Sequence, residues 1–127
     1  MIEGYKACTL ALPTFGDDQA LFGDATPSEC AKRIAGYGVK EIVVKDGGNP
    51  CVVALGADLF SVAPEPVQNI VDTTGAGDSF NAGYIAARMS NREPVDAAKL
   101  GHRVAGRVIR ERGALLSMAS FFDLVAA

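Results

Sequence analysis

The order of strand and helix signals in the first half of the chain restricts its fold more than any other feature of the sequence. Ala7–Leu12 is a short apolar run closed by Pro13, and Glu41–Lys45 is a second run, rich in β-branched residues. Between them, Thr26-Pro27-Ser28-Glu29 offers an N-cap hydroxyl, a first-position proline and an early acid, which together predict the start of a helix. This order points to an α/β layered sheet with flanking helices.

Turn residues divide the rest of the chain into further elements. Gly47-Gly48-Asn49-Pro50 predicts a turn, Gly56-Ala57-Asp58 predicts the bend of a hairpin, and Gly113 predicts the end of a long helix. Thr14–Gly23 is predicted to turn through Asp17 and Asp18 into a short helix that ends at Gly23. The other predicted helices cover Thr26–Ala35 with a stop at Gly36 or Gly38, Ser79–Met89, Pro94 to about Arg112 and Ser120–Val125, and the predicted strands cover Ala7–Leu12, Glu41–Lys45, Cys51–Leu55 and Leu59–Val62.

The composition fits one packed domain and argues against nucleic acid as a partner. The chain has 127 residues, of which 49% are hydrophobic and 21% charged, as in an ordinary globular domain. Its formal net charge of −3 leaves no basic excess to displace counterions from nucleic acid. A local cluster of arginines on one side of a predicted helix is interpreted as a solvated face that complements the helix C-terminus: Arg103, Arg107, Arg110 and Arg112.

The cysteines and the N-terminus predict a cytoplasmic protein. Cys8, Cys30 and Cys51 are odd in number, lack metal-type spacing and lie among apolar or helical residues, as expected of buried thiols in a reducing compartment. No apolar run approaches the length needed to cross a bilayer, and Met1-Ile2-Glu3-Gly4 lacks a charged-then-apolar export pattern. We therefore expect no membrane partner.

The segment Asp72–Gly83 combines a glycine turn, a helix start and a carboxylate. Its two turn glycines allow the backbone to approach a ligand closely, and the helix that follows offers N–H groups without intrahelical partners at the positive end of its dipole. An anion is expected to bind there. Asp78 falls in the first helical turn beside that anion, and a negative group in this position predicts proton abstraction.

Other interpretations of this segment were compared with the sequence. A dinucleotide fingerprint requires glycine where Phe80 stands, and no G-x-x-x-x-G-K-[ST] phosphate loop occurs in the chain. An alternative without catalysis stays open, because an acid in the first turn of a helix also stabilises that helix. Asp78 is therefore predicted to be a general base, with a purely helix-stabilising acid as the alternative.

The run D-T-T-G-A-G-D at residues 72–78 resembles the C-terminal signature of the ribokinase-like sugar kinases, also called the PfkB carbohydrate kinases. The resemblance implies a ribokinase-like layered sheet and an ATP-dependent kinase that uses Mg²⁺. It also implies that the amides of Gly75, Ala76 and Gly77 form an anion hole for the transferring phosphate. Asp78 would then accept the proton of the attacking sugar hydroxyl.

The same resemblance assigns residues to the nucleotide. Lys45 and Gly47 match a turn that runs under the nucleotide phosphates, although Pro50 stands where glycine is common and an ordinary hairpin turn is an equal alternative. His102 and Ala105 match the stretch beside the adenine. As the single histidine, on an apolar face of a predicted helix, His102 is alternatively a hydrogen-bonded core residue.

The resemblance also implies metal sites, but each of the residues concerned has an ordinary structural alternative. It implies a monovalent cation, K⁺, near the anion hole. The positions that match the family's loops for this cation are Asp72, Thr74, Gly113 and Ser117. Asp72 alternatively braces the turn, and Gly113 is alternatively an ordinary helix end. Asp17 and Asp18 stand where many members carry an N-x-x-E element for magnesium; because no asparagine is present, we interpret them as part of an exposed acidic loop.

The resemblance runs from about Ala7 to Ser117 and covers only the C-terminal part of a full family member. Residues 1–127 are interpreted as the nucleotide-binding and catalytic-base portion, without the sugar-binding part. Pro13–Asp18 and Val108–Leu115 resemble the 2-keto-3-deoxygluconate kinase branch, which implies a small sugar acid as substrate. Uncovered sheet edges predict a homo-oligomer. The alternative is a catalytically silent fragment that binds nucleotide or a partner subunit.

Overall fold

The computed structural model describes residues 4, 9–68, 70, 73 and 75–110, and the chain divides into two compact units, Met1–Val62 and Ala63–Ala127. The elements of the first unit are β1 (Leu10–Ala11), α1 (Phe15–Phe22), α2 (Pro27–Ala35), β2 (Glu41–Val44), β3 (Cys51–Leu55) and β4 (Asp58–Val62), and those of the second are α3 (Ala76–Met89) and α4 (Pro94–Val108). Sheet and helices together confirm the predicted α/β class.

The first unit contains a mixed four-stranded sheet in the order β1-β2-β3-β4. Strand β1 pairs with β2 in parallel, whereas β2–β3 and β3–β4 are antiparallel. The predicted hairpin is confirmed: Leu55 is opposite Asp58, so Gly56 and Ala57 alone form the bend. Gly56 has a φ of 57°, the left-handed conformation that a tight hairpin of this kind requires and that glycine adopts without strain.

Helix α2 packs on the sheet through an apolar face that the 3.6-residue period predicts. Cys30, Ala31 and Ile34 are fully buried on this face. They belong to the same hydrophobic cluster as Ile42 and Val44 of β2. The core of the first unit therefore lies between this helix and the two central strands, which are the most completely buried strands of the sheet.

The start of α2 has the hydrogen bonds that its sequence predicts. The Thr26 hydroxyl accepts from the Glu29 backbone N–H at 3.2 Å, and the Glu29 carboxylate accepts from the Ala25 N–H at 2.9 Å. Pro27 occupies the first helical position, where a missing N–H costs no hydrogen bond. The helix ends at Ala35, before Gly36, as expected.

We expect Thr26→Ala to lower the free energy of unfolding by about 1 kcal/mol, because the Glu29 N–H loses its acceptor at the helix start. Urea denaturation followed by circular dichroism measures this effect. Thr26→Ser, which keeps the hydroxyl, is the matched control and should retain most of the stability. Equal losses for the two variants would contradict the cap.

The interpretation of Asp17 and Asp18 as an exposed acidic loop is wrong for Asp18. Both residues lie in α1, and the Asp18 side chain is 1% exposed. Its carboxylate accepts a hydrogen bond from the Arg33 guanidinium at 2.7 Å, and Arg33 also binds the Asp24 carboxylate at 2.9 Å. Asp17 is exposed, as expected. Asp18 is buried because it follows Phe15 by one helical turn and therefore shares its inward face.

The two aspartates and Cys30 also place potential metal-ligating atoms within 4.8 Å of one another. Arg33 brings its guanidinium into the same group and donates hydrogen bonds to both carboxylates. Burial raises the pKa of the Cys30 thiol to about 12. The cluster is therefore a structural ion-pair network that ties α1 and its following loop to α2.

The helix boundaries in the second unit differ from the predicted ones. Helix α3 begins at Ala76, earlier than Ser79, because Gly77 and Asp78 continue the helix rather than the turn. Helix α4 ends at Val108 instead of about Arg112, with Ile109 and Arg110 in a turn. The predicted helix Ser120–Val125 lies outside the described residues. None of the described helices has the length and apolar composition needed to cross a bilayer.

The buried thiols predicted from the sequence are confirmed for Cys30 and Cys51, both free and fully buried. Burial raises the pKa of the Cys51 thiol to about 11. Neither thiol is thus suited to act as a nucleophile near neutral pH. Cys8 lies outside the described residues.

Candidate active site

Gly75 forms the junction between the glycine turn and α3. It has φ 77° and ψ 4°, a left-handed conformation that glycine adopts at little cost and that β-branched residues avoid. Gly75 is the N-cap residue, so Ala76, Gly77 and Asp78 occupy the first three helical positions. The helix therefore begins directly after Gly75, and the amides of its first turn lie next to the glycine turn.

The backbone amides of this turn differ in their hydrogen bonding. The Ala76 N–H donates to the Thr73 carbonyl at 3.2 Å, whereas the Gly75 and Gly77 N–H groups have no acceptor among the residues that the structure describes. Further along, the Ser79 N–H closes the first helical bond to the Gly75 carbonyl at 2.9 Å. Donors at the positive end of a helix dipole form an anion-binding site of the kind the sequence predicts.

Asp78 lies in the first turn of α3 and is exposed. An exposed carboxylate can reach a hydroxyl group of a bound molecule and accept its proton. The same position stabilises the helix through its dipole, so geometry alone supports either interpretation. The cluster of turn amides and carboxylate nonetheless has the composition needed for phosphoryl transfer: donors for the phosphate and a base for the attacking oxygen.

Phe80 connects the start of α3 to α4. Its side chain is 3% exposed, and its ring lies edge-on to the His102 ring with centroids 5.1 Å apart. On its own helix it stacks with Tyr84 at a centroid distance of 6.2 Å. His102 is half-buried and contacts Phe80, two positions after Asp78, which places it against the first turns of α3. Ala105 is also half-buried, less than one turn further along α4.

Two glycines allow α3 and α4 to pack closely beneath this contact. A Cβ atom at Gly101 would lie 2.9 Å from two ring carbons of Phe80, and one at Gly83 would lie 2.9 Å from a methyl carbon of Val104. Real Cβ atoms essentially never approach so closely. Gly83 lies on α3 and Gly101 on α4, so each helix contributes one of the two glycines to the close approach.

We expect Gly101→Ala to lower the free energy of unfolding by about 1–3 kcal/mol, because the added methyl group displaces the Phe80 ring. Gly16→Ala is the matched control, since a Cβ there meets nothing within 4 Å. Thermal unfolding of the two variants measures the difference. A stability for Gly101→Ala equal to that of Gly16→Ala would contradict the tight contact.

Lys45 and Gly47 lie in the first unit, at and just after the end of β2. The Lys45 N–H donates to the Pro13 carbonyl at 2.9 Å, and the Lys45 carbonyl accepts from the Phe15 N–H at 2.7 Å. Lys45 as a whole is 9% exposed. Gly47 lies in an exposed turn with φ 57°. The Lys45 backbone is thus used in pairing with the segment that begins α1, while Gly47 lies in the turn that follows.

Four predicted cation-site residues lie outside the described residues, so this site stays a prediction: Asp72, Thr74, Gly113 and Ser117.

Sequence reasoning missed a cavity of about 400 Å³ in the second unit. We call it the arginine cavity, and its polar lining residues are Glu65, Gln68, His102, Arg103, Arg107 and Arg110. The interpretation of the arginines as a solvated face holds for Arg107 and Arg110, which are exposed, but Arg103 is half-buried and Arg112 lies outside the described residues. The spacing of the arginines along the predicted helix indicated the cluster, but the segment at residues 65–68, which also lines the cavity, carries no recognisable motif.

Comparison with known proteins adds a family relationship. The family model described as pfkB family carbohydrate kinase matches residues 3–120. A 2-dehydro-3-deoxygluconokinase from Dickeya dadantii (strain 3937) is 40% identical over 116 residues, which cover 88% of this chain and 37% of that protein. The chain thus spans little more than a third of the length of the curated relatives it matches.

Solved structures show the same fold. The ribokinase from Thermotoga maritima aligns with a TM-score of 0.83 and 21% identity, covering 100% of this chain and 45% of that one. An E. coli protein described as a ribokinase II, solved in complex with ATP and Mg²⁺, aligns with a TM-score of 0.81 and 24% identity, covering 98% of this chain and 40% of that one. The fold is therefore ribokinase-like, as predicted.

Proposed function

Because the chain belongs to the pfkB family of carbohydrate kinases, we propose that it is the phosphoryl-transfer portion of an ATP-dependent sugar-acid kinase. The observation that carries the proposal is the glycine turn, where the Gly75 and Gly77 amides and the Asp78 carboxylate lie together at the start of α3. Residues 1–127 would then supply the nucleotide-binding and catalytic-base part, with the sugar-binding part provided by further chain, as the length of the relatives suggests.

The turn amides act on the phosphoryl group that is transferred. Phosphoryl transfer requires little covalent chemistry from the protein, so fixed dipoles and alignment provide most of the rate enhancement. In this proposal the Gly75 and Gly77 N–H groups, which have no acceptor among the described residues, donate hydrogen bonds to the phosphoryl oxygens. The Ala76 N–H would join them by exchanging the Thr73 carbonyl, 3.2 Å away, for a phosphate oxygen.

Asp78 accepts the proton of the sugar hydroxyl as that oxygen attacks the γ-phosphorus. Its exposure gives it access to a bound substrate. In a loose transition state the hydroxyl becomes acidic only as the new bond forms, so a carboxylate can serve as the acceptor. The proton leaves the hydroxyl late, after the bond to the leaving oxygen has weakened.

ATP and Mg²⁺ are the proposed cofactors, and the described residues offer positions for parts of the nucleotide. The half-buried ring of His102 and the neighbouring Ala105 would lie beside the adenine, while the Lys45 ammonium and the Gly47 backbone would contact phosphates. Mg²⁺ neutralises charge on the phosphates when bound. A K⁺ ion held by Asp72, Thr74, Gly113 and Ser117 is the proposed monovalent cation.

The proposed substrate is 2-keto-3-deoxygluconate, the sugar acid also called 2-dehydro-3-deoxygluconate. Support comes from the relatives, since 2-dehydro-3-deoxygluconokinases from two species are 40% and 41% identical to this chain over most of its length. The proposed site of action is the cytoplasm, with no nucleic-acid or membrane partner.

A turnover assay of this chain with Mg-ATP and a panel of sugar acids tests the proposal, with ATP binding measured in parallel by calorimetry. We expect ATP binding and phosphorylation of 2-keto-3-deoxygluconate in preference to aldonic acids that lack the keto group. Turnover of every sugar at equal rates would contradict the substrate assignment. A chain that does not bind ATP would contradict the kinase assignment as a whole.

A second candidate function is a catalytically silent fragment that binds nucleotide or a partner subunit. It is favoured by one observation: the chain covers only 37% of the length of its relatives. Positioning of the sugar hydroxyl accounts for much of the rate enhancement of such enzymes, and the missing length would have to provide it. ATP binding without turnover, together with a dimer or larger homo-oligomer in light scattering, would support this second function.

A further inference from the structure

Phe80 joins two parts of the candidate site through one buried side chain. It follows Asp78, the proposed base, by two residues on α3, and it is 3% exposed. Its ring meets the ring of His102, a residue proposed to lie beside the adenine, at an interplanar angle of 74°. The residues proposed for the base and for the adenine are therefore connected through direct contacts within the second unit.

The backbone of α3 also approaches α4 at this point. A Cβ atom at Gly101 would lie 3.0 Å from the Phe80 carbonyl oxygen, in addition to its short distances to the Phe80 ring. Gly101 places no side chain between the two helices, and it directly precedes His102 in the chain. Close-packed interiors transmit displacements, so a shift of α4 at Gly101 and His102 moves the start of α3.

The neighbours of the Phe80 ring differ in their access to solvent. Tyr84, which is fully buried, stacks with the ring at an interplanar angle of 13°, and Gly101 lies against ring carbons. His102 is half-buried, so part of its surface is accessible to a ligand. Of the ring contacts that connect Phe80 to its surroundings, the one to His102 is thus the one that a bound molecule can influence.

We propose that Phe80 is a positioning residue that couples adenine binding at His102 to the orientation of the Gly77 amide and the Asp78 carboxylate. This inference rests on the proposed function, because it requires a nucleotide beside His102. Adenine bound there restricts the His102 ring, the restricted ring holds the edge of Phe80, and Phe80 fixes the first turns of α3. The coupling is reciprocal: a phosphate bound at the glycine turn favours the same arrangement at His102.

Titration of the isotopically labelled chain with adenosine tests the coupling. Adenosine has no phosphate, so it probes the adenine position alone. In the wild type we expect the His102 ring signals and the Gly77 and Asp78 amide signals to shift with one dissociation constant. In Phe80→Leu, which stays apolar but lacks the ring, we expect the His102 shifts to remain and the Gly77 and Asp78 shifts to be lost. Shifts at Gly77 and Asp78 that persist in Phe80→Leu would overturn the proposal.

Val104→Ala is the matched control. A methyl carbon of Val104 packs at the position of Gly83, so the substitution loosens the same pair of helices about one turn away from Phe80. We expect a lower melting temperature than that of the wild type, with the adenosine-induced shifts at Gly77 and Asp78 retained. If Val104→Ala also lost these shifts, they would report general packing of the helix pair, and the specific role of Phe80 would be overturned.

Two further outcomes separate this inference from the proposed function. If adenosine shifts the His102 signals of the wild type but not those of Gly77 and Asp78, the coupling is overturned while the nucleotide position stands. If neither adenosine nor ATP shifts the His102 signals, the nucleotide position is wrong and the coupling fails with it. Should Phe80→Leu fail to fold by circular dichroism, tripolyphosphate, which lacks adenine, provides the reciprocal measurement on the wild type. It should shift the His102 signals together with those of Gly77 and Asp78, and His102 signals that stay in place while the turn signals shift would overturn the proposal.

Discussion

Replacing Asp78 with asparagine is expected to lower the rate of phosphoryl transfer to the sugar acid by about 10²- to 10⁴-fold. The amide is nearly isosteric with the carboxylate but cannot accept the hydroxyl proton as the phosphate leaves ATP. Because the Gly75 and Gly77 amides are unchanged, we expect ATP to bind about as tightly as in the wild type. Single-turnover phosphorylation and calorimetric ATP binding measure the two quantities separately.

Asp96→Asn is the control for this variant. Asp96 is the third residue of α4, as Asp78 is of α3, so both carboxylates stabilise a helix dipole from the same position. The two variants should therefore lose similar, small amounts of stability, while only Asp78→Asn loses turnover. If Asp78→Asn kept the wild-type rate, Asp78 would be a helix-stabilising acid and not a base.

Arg33→Ala is expected to lower the free energy of unfolding of the first unit by about 3–5 kcal/mol. The substitution leaves the Asp18 carboxylate, 1% exposed, without its cation 2.7 Å away. It also removes the guanidinium from the Asp24 carboxylate and from the face of the Phe22 ring, 4.0 Å from the ring centre. Urea denaturation measures the loss. Lys32→Ala changes the adjacent, exposed cation and should cost far less.

The pH dependence of stability gives an independent check on this network. Hydrogen bonding to Arg33 holds the pKa of the Asp24 carboxyl below its ordinary value of 3.8. The unfolded chain therefore takes up the proton at a higher pH than the folded chain, so the stabilisation by Asp24 is complete above the ordinary pKa and is lost as the pH falls through the lower folded value. In Arg33→Ala, the free energy of unfolding should depend less on pH in this acidic range. An unchanged slope below pH 4 would contradict the pairing.

Local sequence signals predicted the elements whose geometry is set by neighbouring residues. The Thr26 cap and the Gly56 bend each depend on contacts within a few positions, and both were found where expected. Asp18 was mistaken for a loop residue because its partner, Arg33, is distant in sequence and follows from no motif. The start of α3 was predicted too late because Gly77 and Asp78 have low helix propensity and yet lie in the helix, and the end of α4 was predicted too late because the charged run after Val108 favours helix.

In the candidate site, too, the features that are local in sequence were predicted and those that depend on distant contacts were not. The glycine turn is contiguous in the chain, so one motif predicted the donors and the base together. The buried stripe of α4 runs through Leu100, Gly101 and Val104, which leaves His102 at its edge against Phe80 rather than in its centre. No periodic pattern indicates that contact or the arginine cavity, because both arise from packing between segments that are separate in sequence.

The most direct test of the central assignment is a titration of the isotopically labelled chain with Mg-ATP, followed through its backbone amide resonances. We predict that the Gly75, Ala76 and Gly77 signals shift together, with the dissociation constant that calorimetry gives for ATP. Signals at Lys32 and Lys40 should stay in place. If ATP bound while the amides of the glycine turn did not shift, the turn would not hold the phosphate and the assignment of the site would be wrong.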